Sequence, residues 1–236
     1  MDNPESVVAC RNLGRVYTAE AFPVRALSAV DIDIARGEFI SLSGPSGSGK
    51  STLLNLIGAL DRPSEGSVVV DGIALAALNE AQLADLRLTR IGFVFQAYNL
   101  IPVLSARENV EFIMQLQGVS ARERRTRAMD ILSALGMDEL AERRPGDMSG
   151  GQQQRVAVAR AIVTNPLLLL ADEPSANLDS KTTEELLELL KQVNVRHGVT
   201  IVTATHDPIV IRYTRRRIQL KDGRIVADEH SGDAAA

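Results

Sequence analysis

The chain has 236 residues, with 26 Lys and Arg against 30 Asp and Glu, and a formal net charge of −4 at neutral pH. With 45% hydrophobic and 24% charged residues it has the composition of a folded globular chain, which excludes wholesale disorder. The lone Cys10 excludes an intramolecular disulfide and an all-cysteine metal site, no stretch reaches the roughly 20 apolar residues of a membrane span, and the mild acidity gives no reason to expect nucleic acid.

The N-terminal MDNPESVVACRNLG has neither a basic n-region nor an apolar h-region, so a soluble intracellular chain without a secretory signal is expected. No internal repeat is visible. A single domain over residues 1–236 is predicted, loose only at 229–236 (EHSGDAAA).

The first strand with a clear consequence is 38–43 (EFISLS). It runs into GPSGSGKST at 44–52, which satisfies G-x-x-x-x-G-K-[ST] with Gly44, Gly49, Lys50 and Ser51. Glycines in such a loop let backbone N–H groups turn inward around phosphate oxygens. The lysine brings a cation to the β- and γ-phosphates, and the serine hydroxyl can ligate Mg²⁺. Residues 51–60 (STLLNLIGAL) follow as a helix whose N-terminus faces the loop, the anion-binding arrangement. The alternative, a Gly-Ser loop that happens to precede a lysine, does not account for that strand–loop–helix order.

Further along, Asp71-Gly72 reads as a hairpin turn and 91–95 (IGFVF) as a strand leading to Gln96. Ser120 and Glu123 have capping-box spacing ahead of Met129, Ile131, Leu132 and Leu135, a helix closed by Gly136. Ser149 and Gln152 repeat that spacing at the head of a helix continuing QQRVAVARAI. Gly150 and Gly151 leave N–H groups uncovered there, which makes a second candidate anion site, although plain capping is the simpler account of these residues alone.

The run 167–171 (LLLLA) lacks alternation, as expected of a strand buried on both faces of a parallel sheet. It ends at Asp172 and Glu173. One carboxylate there can hold Mg²⁺ through water, and a second can orient or deprotonate a water for attack on a γ-phosphate. Without the phosphate loop, a solvated acidic pair would be the default reading.

Ser180 is predicted to cap a helix whose stripe of Leu186, Leu187, Leu190 and Val193 belongs to the core, ending before Gly198. A strand at 200–204 (TIVTA) leads to His206, and Asp222-Gly223 marks a second hairpin. The basic clusters 122–127 (RERRTR) and 212–217 (RYTRRR) read as solvated faces. Gly44, Gln96, Asp172 and His206 thus each fall at, or one or two residues past, the end of a different strand. In a parallel sheet these ends share one edge, where α/β folds bind ligands, so a nucleotide-hydrolysing α/β protein is predicted.

In the order of GPSGSGKST, Gln96, MSGGQQQR at 148–155, LLLLADE at 167–173 and His206, the chain resembles the ATP-binding subunits of ATP-binding-cassette (ABC) transporters over residues 7–226. That resemblance implies a P-loop NTPase (RecA-like) α/β core with a mainly parallel sheet, an antiparallel β subdomain, and a helical signature subdomain over about 97–160. It implies ATP and Mg²⁺ as cofactors, with Gly44, Pro45, Ser46, Gly47, Ser48, Gly49, Lys50, Ser51 and Thr52 around the phosphates and Tyr17 stacked on adenine. Ser51, Gln96 and Asp172 would serve the metal. Glu173 would be the base, with Lys50, Gln96 and His206 also catalytic. Ser149, Gly150, Gly151 and Gln152 would contact the γ-phosphate of ATP held by a second copy, and Asp179 would join the two sites.

The implied partners are that second copy and a transmembrane permease on a separate chain, docked around 97–111, which would place the protein peripherally on the inner face of the cell membrane. The runs STLLNLIGALDRPSEG, IGFVFQAYNLIPVLSARENV and ADEPSANLD look like the bacterial subgroup serving lipoprotein release, macrolide efflux and cell division. A soluble ABC-type ATPase of cell division, translation or DNA repair is the alternative. Translation and repair types usually carry two cassettes or a long coiled-coil insertion, and neither is visible. For a P-loop kinase the SGGQ helix would have no purpose, and a non-hydrolysing module would not need Lys50, Asp172, Glu173 and His206 together.

Overall fold

A computed structural model describes residues 6–18, 22–176 and 178–230. The four short apolar runs form β3 (Phe39–Ser43), β6 (Ile91–Val94), β7 (Leu168–Asp172) and β8 (Thr200–Ala204). With β9 (Arg216–Lys221) and β10 (Arg224–His230) they make a six-stranded sheet in the order β10-β9-β3-β8-β7-β6. Every pair is parallel except β9 with β10. The register carries the functional consequence: Ala204 lies opposite both Leu42 and Asp172, and Ala171 lies opposite Val94. The carboxyl ends of β3, β6, β7 and β8 are therefore level, and the segments that leave them emerge on one edge.

A second sheet is wholly antiparallel, in the order β2-β1-β4-β5, from β1 (Ser6–Thr18), β2 (Pro23–Ala35), β4 (Glu65–Val70) and β5 (Ile73–Ala74). Both Asp-Gly pairs are hairpin turns as expected. Asp71 and Gly72 have φ 51° and 75°, and Asp222 and Gly223 have φ 49° and 74°, the two positive values a type I′ turn requires. Between the sheets runs α1 (Lys50–Ile57), whose Leu53, Leu54, Leu56 and Ile57 join a core shared by both.

On the far face of the parallel sheet lies α6 (Ser180–His197). Its Leu186, Leu187, Leu190 and Val193 are buried there, so the stripe is core. A third apolar cluster holds α3 (Ala106–Leu116), α4 (Ala121–Ala134) and α5 (Gly150–Ile162) together. Helix α5 belongs to two cores, since Val156 and Ala159 face the helical cluster while Val158, Ala161 and Ile162 face the sheet.

Four details differ from expectation. The helix after the phosphate loop stops at Ile57 rather than residue 60, with Gly58 as its C-cap and the chain turning left-handed at Ala59, φ 55°. Asp179, not Ser180, caps α6: its Oδ1 accepts from Thr182 N–H at 3.0 Å and its Oδ2 from the Thr182 hydroxyl at 2.7 Å. At α4 only half of the capping box forms. Ser120 Oγ accepts from Glu123 N–H, while the Glu123 carboxylate turns outward to Arg127. Finally, Glu229 and His230 pair with Arg217 and Arg216 in β10, so the ordered strand enters the segment expected to be loose, and 231–236 lie outside the described residues. The helix α2 (Glu80–Arg90) was not anticipated, although Asn79 and Gln82 form a complete capping box that signals it.

Candidate nucleotide site

The loop leaving β3 is built for close backbone approach. Gly44 has φ 144°, and a Cβ there would lie 2.1 Å from the Leu220 carbonyl oxygen, so no other residue fits. At the other end Gly49 has φ 102° and opens α1 with no side-chain cap. The first N–H groups of α1 are thereby left for an external acceptor. Lys50 is only 8% exposed, and its Nζ donates to the carbonyls of Gly44 at 2.8 Å and Pro45 at 3.1 Å. The loop thus holds a buried cation over its own floor.

The end of β7, two strands over across β8, supplies the acids. Ser51 stands beside the Asp172 carboxylate, whose Oδ1 is buried with no partner. Burial pushes the Asp172 carboxyl above its usual range and the adjacent Glu173 adds to this, with the Ser51 hydrogen bond and the Lys50 charge opposing. An orphaned carboxylate oxygen beside a serine hydroxyl suits a hard cation that takes its other ligands from phosphate and water, as Mg²⁺ does. Among the described residues no group of three or more His, Cys, Asp and Glu could cage a metal alone.

The raised Asp172 pKa has a testable sign. The unfolded chain releases this proton first, at about pH 4, so the group lowers stability as pH rises from there through its own raised value, and the penalty persists above. Asp172→Asn is therefore expected to melt at a higher temperature than the native chain at pH 7 in chelator, with the advantage gone near pH 4. The same variant should lose the rise in melting temperature that Mg-ATP gives the native chain. Thermal melts with and without Mg-ATP decide it: a variant that melts lower in chelator contradicts the assignment.

Glu173 has φ 47°, a left-handed backbone that aims its side chain away from the line of β7 while its N–H still bonds the Ala204 carbonyl at 2.8 Å. Its Oε1 lies 2.8 Å from Nδ1 of His206. The carboxylate is sheltered at 16% side-chain exposure and the imidazole is open at 74%. Ser175 Oγ donates to Asp207 Oδ2 at 2.9 Å, tying together the turns that carry the pair. Gln96 stands exposed at the end of β6, ahead of Tyr98 and Asn99 with φ 58° and 50°.

These residues meet in one cleft of about 660 Å³, lined by Pro45 through Thr52, Gln96, Asp172, Glu173 and His206. Val24, Arg25 and Ala26 complete the wall. No local sequence signal marks those three; they arrive because the antiparallel sheet closes on the loop, where Gly49 abuts the Ala26 carbonyl. Tyr17 does not line the cleft. Its hydroxyl donates to Asp61 Oδ2 at 3.0 Å, and the Arg15 guanidinium sits over its ring at 4.6 Å. The signature residues also lie elsewhere. Ser149 and Gln152 form a complete capping box, with bonds of 2.9 and 3.3 Å, which does not engage the N–H groups of Gly150 and Gly151. Asp179 is occupied in capping α6.

A glycine loop joining a buried parallel strand to a helix, with a sunken lysine and a magnesium-suited acid at the level end of a strand two places over, defines a P-loop nucleoside-triphosphate hydrolase. The family description "ABC transporter" matches residues 27–176. An ABC transporter ATP-binding protein of Methanocaldococcus jannaschii, MJ0796, is 47% identical over 94% of this chain and 97% of its own length. A macrolide export ATP-binding/permease protein, MacB 1/2 of Paracoccus denitrificans, is 45% identical over 98% of this chain, which spans 34% of that protein. A dimeric post-hydrolysis structure of the MJ0796 cassette bound to ADP and Pi superposes with a TM-score of 0.90 at 45% identity, covering 94% of this chain and 98% of that one. The chain belongs to the ABC transporter family, as an ATP-binding and ATP-hydrolysing cassette. Among the described residues no helix is long and apolar enough to cross a membrane.

Proposed function

We propose that two copies of this chain close head to tail around two Mg-ATP and, by opening after hydrolysis, drive a permease. One observation carries the reading: the cleft gathers loop, acids and histidine but not the signature end of α5, so a single chain presents half a site. The dimeric MJ0796 cassette and the permease portion of the macrolide export protein support it. The 45% identity to the latter favours the lipoprotein-release and macrolide-efflux subgroup, with the protein held at the inner face of the cell membrane by its permease.

In this mechanism the loop N–H groups and Lys50 bind the β- and γ-phosphates, and Tyr17, outside the cleft wall, would meet the adenine with the ring face opposite Arg15. Ser51 and Asp172, with Gln96, would hold Mg²⁺, which would neutralise charge on the transferring phosphoryl group. Glu173 accepts a proton from water as its oxygen bonds to the γ-phosphorus and the bond to the β-phosphate oxygen breaks. His206 orients Glu173 and contacts the γ-phosphate. Gly150 and Gly151 N–H groups of the second copy face that phosphate from the other side, and Asp179 meets its counterpart between the two sites.

The test is affinity purification of the ATP-locked chain from detergent-solubilised native membranes, followed by mass spectrometry. Stoichiometric recovery of one membrane protein with few spans is the expected result. Recovery of ribosomal or DNA-repair proteins without a membrane subunit overturns the assignment.

A further inference from the structure

Helix α5 reaches into the cleft's machinery at two places beyond its signature end. Gln154, one turn in, is 1% exposed, and its Nε2 donates to the Pro174 carbonyl at 2.7 Å. Pro174 directly follows Glu173, whose left-handed backbone needs an outside hold. Gln154 Oε1 has no partner, so this amide sits in the core at a cost that an apolar side chain would avoid. Its one hydrogen bond goes to the turn that carries the acid beside His206.

The second contact is made by Arg160. Its guanidinium donates to the carbonyls of Asn99 at 2.5 Å and Tyr98 at 2.8 Å. Those are the two consecutive left-handed residues that follow Gln96, and neither is glycine. One rigid helix therefore grips, through side-chain donors, the segments just after Glu173 and just after Gln96. Its far end presents the N–H groups of Gly150 and Gly151 away from this cleft.

We infer that α5 transmits contact at its signature end to the hydrolytic groups of its own chain's cleft, and that Gln154 and Arg160 are the positioning residues that carry it. The inference rests on the two-copy reading above, in which the signature end of one chain lies on the nucleotide of the other. Filling one composite site then presses on α5, and α5 sets Glu173 and Gln96 in the second. The physical requirement is an element bonded to the segments that carry both groups, and α5 holds the backbone just after each of them.

The test uses the full chain with Mg-ATP and four variants. Gln154→Leu and Arg160→Lys remove one or both donors. Gln153→Leu is the control, since Gln153 Nε2 bonds only the Met148 carbonyl within the helix cap. Gln154→Leu exchanges an orphaned Oε1 for an orphaned Pro174 carbonyl, so its melting temperature should stay near that of the native chain. Expected are kcat values reduced roughly three- to thirty-fold in Gln154→Leu and Arg160→Lys, unchanged affinity for a fluorescent ATP analogue, and a Hill coefficient for ATP that falls towards one. Gln153→Leu should keep the native values. Arg160→Ala, which loses both bonds, should lower kcat further than Arg160→Lys.

A merely structural role would move melting temperature, affinity and kcat together and would leave the Hill coefficient of the surviving protein unchanged. If Gln154→Leu does not fold, Arg160→Lys carries the test alone. Native kcat and Hill coefficient in Gln154→Leu and Arg160→Lys overturn the inference while the ATPase reading stands. A native chain that does not hydrolyse Mg-ATP removes that reading itself.

Discussion

Glu173→Gln is expected to bind ATP as the native chain does, to hydrolyse it some 10²- to 10⁴-fold more slowly, the usual share of a general base, and to accumulate as a dimer. The substitution replaces one carboxylate oxygen by an amide and leaves the left-handed backbone and its bond to the Ala204 carbonyl in place. The contact to His206, 2.8 Å from the carboxylate, can be kept by the amide with the matching imidazole tautomer. What disappears is a group able to take the proton of the attacking water. Binding energy from the loop and the second copy's helix end is then gained with no hydrolysis to release it. Static light scattering should report twice the 25.5 kDa of one chain on adding Mg-ATP, and phosphate release should stall. A variant that stays monomeric with saturating ATP would sink the two-copy site, whatever its rate.

The parts of this site legible in the sequence are those whose chemistry is local. The loop from Gly44 to Thr52 is legible because a phosphate cradle needs glycine, lysine and a hydroxyl at fixed spacing. Asp172 and Glu173 are legible because a four-leucine run without alternation suits a strand buried on both faces, and the end of such a strand is where a ligand sits. Turn chemistry likewise exposed both Asp-Gly hairpins, since few dipeptides accept two positive φ values.

What stayed hidden depends on contacts between distant segments. Val24, Arg25 and Ala26 enter the cleft wall only when the second sheet docks on the loop. Gly58 at the end of α1 is required by Phe93, 35 residues away in the chain, which leaves no room for a side chain there. Asp179 and Ser180 are both good caps, and the choice falls to the one whose carboxylate reaches Thr182 twice. For Gln154 nothing in the run QQQR distinguishes the glutamine that holds the catalytic turn from its neighbours. Only the fold, by turning that one inward, separates them. The complete capping box at Ser149 shows the opposite ambiguity: local chemistry accounts for it fully, and the second use proposed for it would need a partner surface.

Lys50→Ala separates binding from chemistry differently from Glu173→Gln. The ammonium is already desolvated at 8% exposure and is held by the carbonyls of Gly44 and Pro45. Its transfer onto phosphate oxygens therefore requires no new burial of charge, and the charge-assisted bonds it forms there are of the stronger kind. Truncation removes a cation from both the bound ATP and the transition state, whose charge is spread over the phosphoryl oxygens. The expected result is loss of ATP affinity together with turnover, the latter by about 10³-fold or more, in line with charge stabilisers aimed at developing oxyanions. The fold should survive, because the apolar face of α1, with Leu53, Leu54, Leu56 and Ile57, packs independently of the lysine. In light scattering this variant should remain monomeric with ATP, where Glu173→Gln dimerises. Fluorescent-nucleotide titration and phosphate release on the same samples distinguish the two failures. A Lys50→Ala chain that hydrolyses ATP at the native rate would show that the loop is not the phosphate site.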